Sequence, residues 1–221
     1  MNAPADVHVD AVRVHHRTAA GVVRALDGVT LDVPGGSSVA VVGPSGCGKS
    51  TLLSLIAGLT RPDAGQISFG GVAINGLDDT GRAALRAEQV GVVLQADNLI
   101  PFLTAVENVE LALGFTGREE QPDRARALLA ALGLDHRRDH LPRQLSGGEA
   151  QRVSIAVALA NEPTLLLADE VVGQLDSATA DRVVDVVLGS QLAVLFVTHD
   201  ETLAGRGERR LRLVDRTVVE Q

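Results

Sequence analysis

Tryptophan and tyrosine are absent from the 221 residues, and Phe69, Phe102, Phe115 and Phe196 are the only phenylalanines. So few rings cannot build an aromatic stacking platform for single-stranded nucleic acid. One cysteine, Cys47, excludes an internal disulfide and agrees with a reducing compartment. Wholly apolar runs such as residues 155–160 and 165–168 fall far short of the ~18 residues that cross a bilayer. The first ten residues carry neither a basic cluster nor an apolar segment, so no secretory signal and a cytoplasmic location are expected. Acidic residues outnumber basic ones 28 to 20, for a net charge of −8. With no basic block, counterion release has no footprint, and no nucleic-acid partner is expected. Lysine is almost missing too: 19 of the basic residues are arginine and the single lysine is Lys49.

What remains is ordinary for a globular chain, with 45% hydrophobic and 22% charged residues. Val7, Val9, Val12 and Val14 are interleaved with polar residues, and residues 29–33 read the same way, so the opening is expected to be β-rich. Residues 38–42 form a β-branched run that stops at glycine, and residues 49–57 follow with helical spacing. Short strands are expected at 66–69, 72–74 and 90–94. Between 104 and 148 the apolar positions, among them Val106, Val109, Leu113, Ala125, Leu129 and Leu132, keep helical spacing. Helix at 149–160, strand at 164–168, helix at 177–188 and strand at 193–198 then alternate as in a parallel sheet covered by helices. The tail, 209–220, reads as one or two strands with a turn at Asp215 and Arg216.

Gly43-Pro44-Ser45-Gly46-Cys47-Gly48-Lys49-Ser50 matches G-x-x-x-x-G-K-S between a buried strand and a helix, the context that a phosphate-binding loop requires. Its glycines let successive N–H groups turn toward phosphate oxygens, and the helix N-terminus adds its dipole. Lys49 neutralises the β and γ phosphates and the Ser50 hydroxyl serves Mg2+, while Thr51 completes the ATP-binding set. The only lysine falls where this chemistry needs one. A carboxylate ending another buried strand should complete the metal site, and Leu165-Leu166-Leu167-Ala168-Asp169-Glu170 supplies it. Asp169 would hold Mg2+, and Glu170 would polarise the attacking water.

The segment Leu145-Ser146-Gly147-Gly148-Glu149-Ala150-Gln151-Arg152 resembles the signature sequence of ATP-binding cassette (ABC) ATPases and precedes the acidic strand, as in that family. Gln95 resembles the family's Q-loop glutamine, Gly173-Gln174-Leu175-Asp176 its D-loop, and His199 its switch histidine. The resemblance implies an α/β P-loop fold of one domain, 1–221. A β-rich and P-loop core would comprise about 1–95 and 161–221, with an N-terminal antiparallel β subdomain and a parallel sheet. A helical subdomain would occupy about 96–160. It also implies ATP and Mg2+ as ligands, with Ser50, Gln95 and Asp169 at the metal, Glu170 as base, and Lys49, Gln95 and His199 assisting. Ser146, Gly147, Gly148 and Glu149 would reach the ATP of a second copy in a homodimer, and Asp176 would be the D-loop acid. Separate transmembrane permease subunits would complete the complex at the cytoplasmic face of the membrane, docking near 95–106 through Leu99, Ile100 and Phe102. An alternative is an ATP-dependent regulatory module that moves no cargo. Asn98-Leu99-Ile100-Pro101, the run from Leu103 to Val109, and Ala25-Leu26-Asp27-Gly28-Val29 are similar to the lipoprotein-releasing, macrolide-exporting and cell-division branch.

Three departures stand out. The family usually places an aromatic ring against adenine, whereas His16, with His15 beside it, occupies that stretch here. A histidine can stack, or the pair is a solvated strand end. Val171-Val172 follow Glu170 where the family commonly has Pro-Thr, which bears on the orientation of the acid. Asp215-Arg216-Thr217 lacks the glycine often found in the tail hairpin.

Overall fold

Strands that are apolar at every position must bury both faces, and that requirement sets the layering. A computed structural model describes residues 5–18, 21–94, 98–118, 121–170 and 192–220. Strands β1 (Val7–Thr18), β2 (Gly21–Val33), β4 (Ala64–Phe69) and β5 (Val72–Ala73) form an antiparallel sheet in the order β2-β1-β4-β5. The second sheet has the order β10-β9-β3-β8-β7-β6. It comprises β3 (Ser38–Val42), β6 (Val90–Val93), β7 (Leu165–Asp169), β8 (Ala193–Thr198), β9 (Arg209–Val214) and β10 (Thr217–Glu220). All its neighbours pair in parallel except the β9–β10 hairpin. The antiparallel β portion and the parallel core both match the expected fold class.

Side-chain alternation on these strands divides the interior in two. Val39 and Val41 of β3, Leu165 and Leu167 of β7, and Leu195 and Val197 of β8 join one apolar cluster. That cluster also holds Leu52, Leu53, Leu55 and Ile56 of helix α1 (Lys49–Ile56) and the inward face of the antiparallel sheet. Leu166 and Ala168 of β7 and Val194 of β8 face the opposite way, into a second cluster. Helices α3 (Ala105–Gly114), α4 (Pro122–Ala131) and α5 (Gly147–Leu159) fill it with Val109, Leu129, Val153 and Ile155.

Several boundaries differ from the sequence reading, each for a local reason. Strand β2 begins at Gly21 rather than near Val29, because its first half pairs with β1 across register shifts that break the apolar alternation. Helix α2 (Asp79–Gln89) was not expected; only Arg82 of it is buried, so it lacks an apolar stripe. The Asp78 carboxylate, accepting from the Gly81 N–H, caps its start. Helix α5 starts at Gly147, not Glu149, because Ser146 is the cap. The helix expected at 177–188 lies outside the described residues. Leu99, expected in an exposed patch, packs against the second cluster, whereas Phe102 is 76% exposed. The loop before α3 is wired by the buried Asn108, whose amide donates to the carbonyls of Ile100, Leu103 and Thr104 and accepts from the Ile100 N–H.

Candidate active site

Because β3, β7 and β8 run in parallel, their carboxyl ends share one edge of the sheet, the place where α/β folds bind ligands. A cleft of about 710 Å³ opens there. Pro44, Ser45, Gly46, Gly48, Lys49, Ser50 and Thr51 line it from the turn after β3, Asp169 and Glu170 from the end of β7, and His199 from the end of β8. His16 of β1 lines it as well.

The turn after β3 is wound for anions. Gly48, the cap of α1, sits at φ 109°, and a Cβ there would lie 2.5 Å from the Ala25 carbonyl oxygen. Any side chain would therefore be strained twice, by backbone conformation and by close approach. Lys49 is 7% exposed, and its ammonium donates to the carbonyls of Gly43 (2.7 Å) and Pro44 (3.0 Å). Those bonds stretch the lysine back across the loop with its charge at the rim. Gly43 and Cys47 do not line the cleft; Cys47 packs against the first apolar cluster.

At the other end the acids are held rather than solvated. Asp169 is 6% exposed. Glu170 adopts φ 52°, an unfavourable conformation for a side-chain-bearing residue. Its N–H donates to the Val197 carbonyl, and its Oε1 lies 2.8 Å from His199 Nδ1. A carboxylate partner makes Nδ1 the donor. The hard oxygens of Ser50 and Asp169 beside a buried ammonium suit a divalent cation carrying a polyphosphate.

The histidine pair resolves by strand alternation. His15 Nδ1 lies 3.0 Å from the Asp63 carboxylate, which also accepts the His15 N–H. These two bonds hold the Asp63 carboxyl below its usual range, the backbone bond most strongly. His16, its neighbour, is the one at the cleft.

The signature residues do not line this cleft. They start α5, which packs against β6 at the far edge of the sheet. Ser146 Oγ accepts from the Glu149 N–H, and Glu149 Oε2 accepts from the Ser146 N–H at 2.8 Å. This reciprocal cap leaves the Gly147 and Gly148 amides at the positive end of a 13-residue helix. The Ser146 N–H is the largest cause lowering the Glu149 carboxyl to about 2; burial opposes it, and the Ser146 hydroxyl and Arg137 guanidinium assist. A depressed carboxyl stabilises the fold above its ordinary value near 4.5, and the contribution fades as pH falls toward 2. Glu149→Gln is therefore expected to lower stability by about 1 kcal/mol at pH 7, the scale of one helix cap. Urea unfolding should show that gap closing between pH 5 and pH 2.

Gln95 and Asp176 lie outside the described residues, as do Val171 and Val172. The sequence reading also missed four cleft residues: Val23, Arg24 and Ala25 of β2, and Arg216 of the β9–β10 turn. Val23 pairs with His16 across the β1–β2 hairpin, so recognising that hairpin would have found it. Arg216 carries no such signal, since only the sheet order brings β9 beside β3.

Comparison with known proteins agrees with this geometry. Residues 26–173 match the family model described as ABC transporter. The chain is 44% identical over 220 residues to the lipoprotein-releasing system ATP-binding protein LolD of Nitrobacter hamburgensis, covering 97% of this chain and 95% of that one. It is 46% identical over 202 residues to the uncharacterized ABC transporter ATP-binding protein YbbA of Escherichia coli, covering 89% of each. Among solved structures, the dimeric bacterial ABC transporter cassette MJ0796 superposes with a TM-score of 0.91 at 39% identity, over 96% of both chains. MJ0796 in a dimeric post-hydrolysis state bound to ADP and Pi also scores 0.91, at 37% identity, over 97% of this chain and 98% of that one. With the motifs, the cleft and these relatives in agreement, the chain belongs to the ABC transporter family, as an ATP-binding and ATP-hydrolysing subunit.

Proposed function

We propose that two copies of this chain close on ATP, each completing the other's site, and that closure drives separate membrane-spanning subunits. The observation that carries the reading is the separation within one chain. The phosphate loop and acids line one cleft, while Ser146, Gly147, Gly148 and Glu149 stand on a different helix outside it. A second copy related by two-fold symmetry brings a helix N-terminus to the cleft mouth, where its dipole and free amides suit a γ-phosphate. The dimeric form of MJ0796 supports the pairing of two copies.

Lys49 and the loop amides hold the polyphosphate, with the base toward His16 and Val23 and the terminal phosphate toward Glu170 and His199. Ser50 and Asp169, with Gln95, would hold Mg2+, which when bound supplies positive charge against the phosphate oxygens. Glu170 takes a proton from the attacking water, and His199 keeps that carboxylate oriented through the 2.8 Å contact. Residues 96–160 act as the helical unit that transmits closure to the core of 1–95 and 161–221. Among the described residues no helix is long and apolar enough to cross a membrane. The chain works peripherally, at the cytoplasmic face of a membrane partner, with the exposed Phe102 in the contact region. The names of LolD and YbbA as ATP-binding proteins support this division of labour.

A mixing experiment tests the composite site. Lys49→Ala and Ser146→Arg proteins are each expected to hydrolyse no ATP alone. Mixed, they form heterodimers with one intact site, built from the loop of one chain and the signature of the other, and turnover should partly return. A mixture as inactive as its components, in a wild type that stays monomeric with ATP, would overturn the reading.

A further inference from the structure

The cleft is poorly furnished for a base. No tyrosine or tryptophan exists in the chain, and no phenylalanine lines the cleft, whose rings among the described residues are the imidazoles of His16 and of His199, the latter engaged with Glu170. Arg216 lines the same cleft, from a two-residue turn set between Val214 and Thr217. The Arg216 carbonyl accepts from the Asp27 N–H at 2.9 Å, pinning the turn to β2 beside Val23 and Arg24. Sheet order places β9 on one side of β3 and places β8 and β7 on the other. Arg216 thus approaches the phosphate loop from the side opposite Glu170 and His199, where the base would lie.

Two further observations single out its guanidinium. Arg24 is engaged with the Asp27 carboxylate at 3.1 Å, whereas the Arg216 side chain makes no hydrogen bond or ion pair among the described residues. Asp215 and Arg216 both have positive φ, 49° and 67°. A hairpin turn of that kind favours glycine at its second central position. An arginine there is a conformational cost that no side-chain hydrogen bond or ion pair among the described residues offsets.

The geometry points to Arg216 as a nucleotide-binding residue, its planar cation lying against the base and supplying part of what a missing aromatic ring would give. Guanidinium groups stack on ring faces through cation–π attraction. The inference rests on the proposed placement of nucleotide in this cleft, with phosphates at Lys49.

Calorimetric titration with ADP, and with inorganic pyrophosphate as its base-free counterpart, tests it on the full chain. Arg216→Gly should weaken ADP about five-fold, the scale of a partly exposed cation–π contact, and leave pyrophosphate within about two-fold. Its melting temperature should hold or rise, because glycine suits the positive φ. Arg216→Asn, which tolerates that conformation without a cation, should repeat the loss for ADP. ADP affinities within two-fold of wild type in both variants would overturn the assignment. Equal losses for ADP and pyrophosphate would overturn it as well, by making Arg216 a phosphate ligand, and so would a fall in melting temperature that tracks the lost affinity. Lys49→Ala separates the two levels of argument. If it binds both probes as tightly as wild type, the placement of phosphate at the loop fails, and the Arg216 assignment fails with it. If it loses both while Arg216→Gly changes neither, only the Arg216 assignment fails.

Discussion

Replacing Glu170 with glutamine is expected to cut ATP turnover by about 10²- to 10⁴-fold, the range that a positioned general base contributes. The side chain is held where that role needs it. It ends a strand buried on both faces, its N–H is tied to the Val197 carbonyl, and its Oε1 meets His199 Nδ1 at 2.8 Å. Glutamine keeps the size and an acceptor oxygen for His199 but takes no proton from water. Affinity for ATP should therefore survive while hydrolysis does not, and the bound pair should accumulate as a dimer on sizing with Mg-ATP. Single-turnover hydrolysis separates the two effects; a variant with the wild-type rate would remove Glu170 from its role.

Lys49→Ala should have an effect of similar size on binding rather than on the chemical step. The ammonium is the cleft's one lysine charge, nearly buried, and aimed along the loop by two carbonyl bonds. Charge-assisted bonds are worth about 1.5–3 kcal/mol each, so losing two to phosphate predicts roughly 10²- to 10⁴-fold weaker ATP. Removing the side chain also leaves the carbonyls of Gly43 and Pro44 without their donor, which loosens the loop itself. Calorimetric titration with Mg-ATP reads the loss directly. Lys49→Arg should not rescue it, because a forked guanidinium does not fit where a point charge is packed.

The sequence was most legible where chemistry and backbone demand the same residues. The phosphate loop needs glycine for its curl, lysine for its charge and a strand behind it, so one eight-residue string located both a site and a β–α junction. The strand ending in Asp169 and Glu170 read as clearly, because a wholly apolar run has few other uses. Legibility failed where tertiary pairing decides. The first half of β2 carries bulges that erase period two, and α2 is held by its cap and by Arg82, whose guanidinium donates to the carbonyls of Gly58 and Leu77. Resemblance places His16 at the base, with a solvated strand end as the alternative, and the hairpin turns His15 to Asp63 and His16 to the cleft. Arg216 lies far from every motif in sequence and became visible only through strand order.

The division of the apolar interior by the central sheet has a mechanical consequence. The cluster behind the phosphate loop and the cluster behind the signature helix draw on alternate residues of one strand, Leu165 and Leu167 of β7 for the first and Leu166 and Ala168 for the second. A displacement of β7, the strand that ends at Asp169, is therefore transmitted to both packed interiors at once. The site acid and the packing on both faces of the sheet are thereby coupled through one backbone. That combination lets a change of one phosphate group be felt as a displacement at a distant surface.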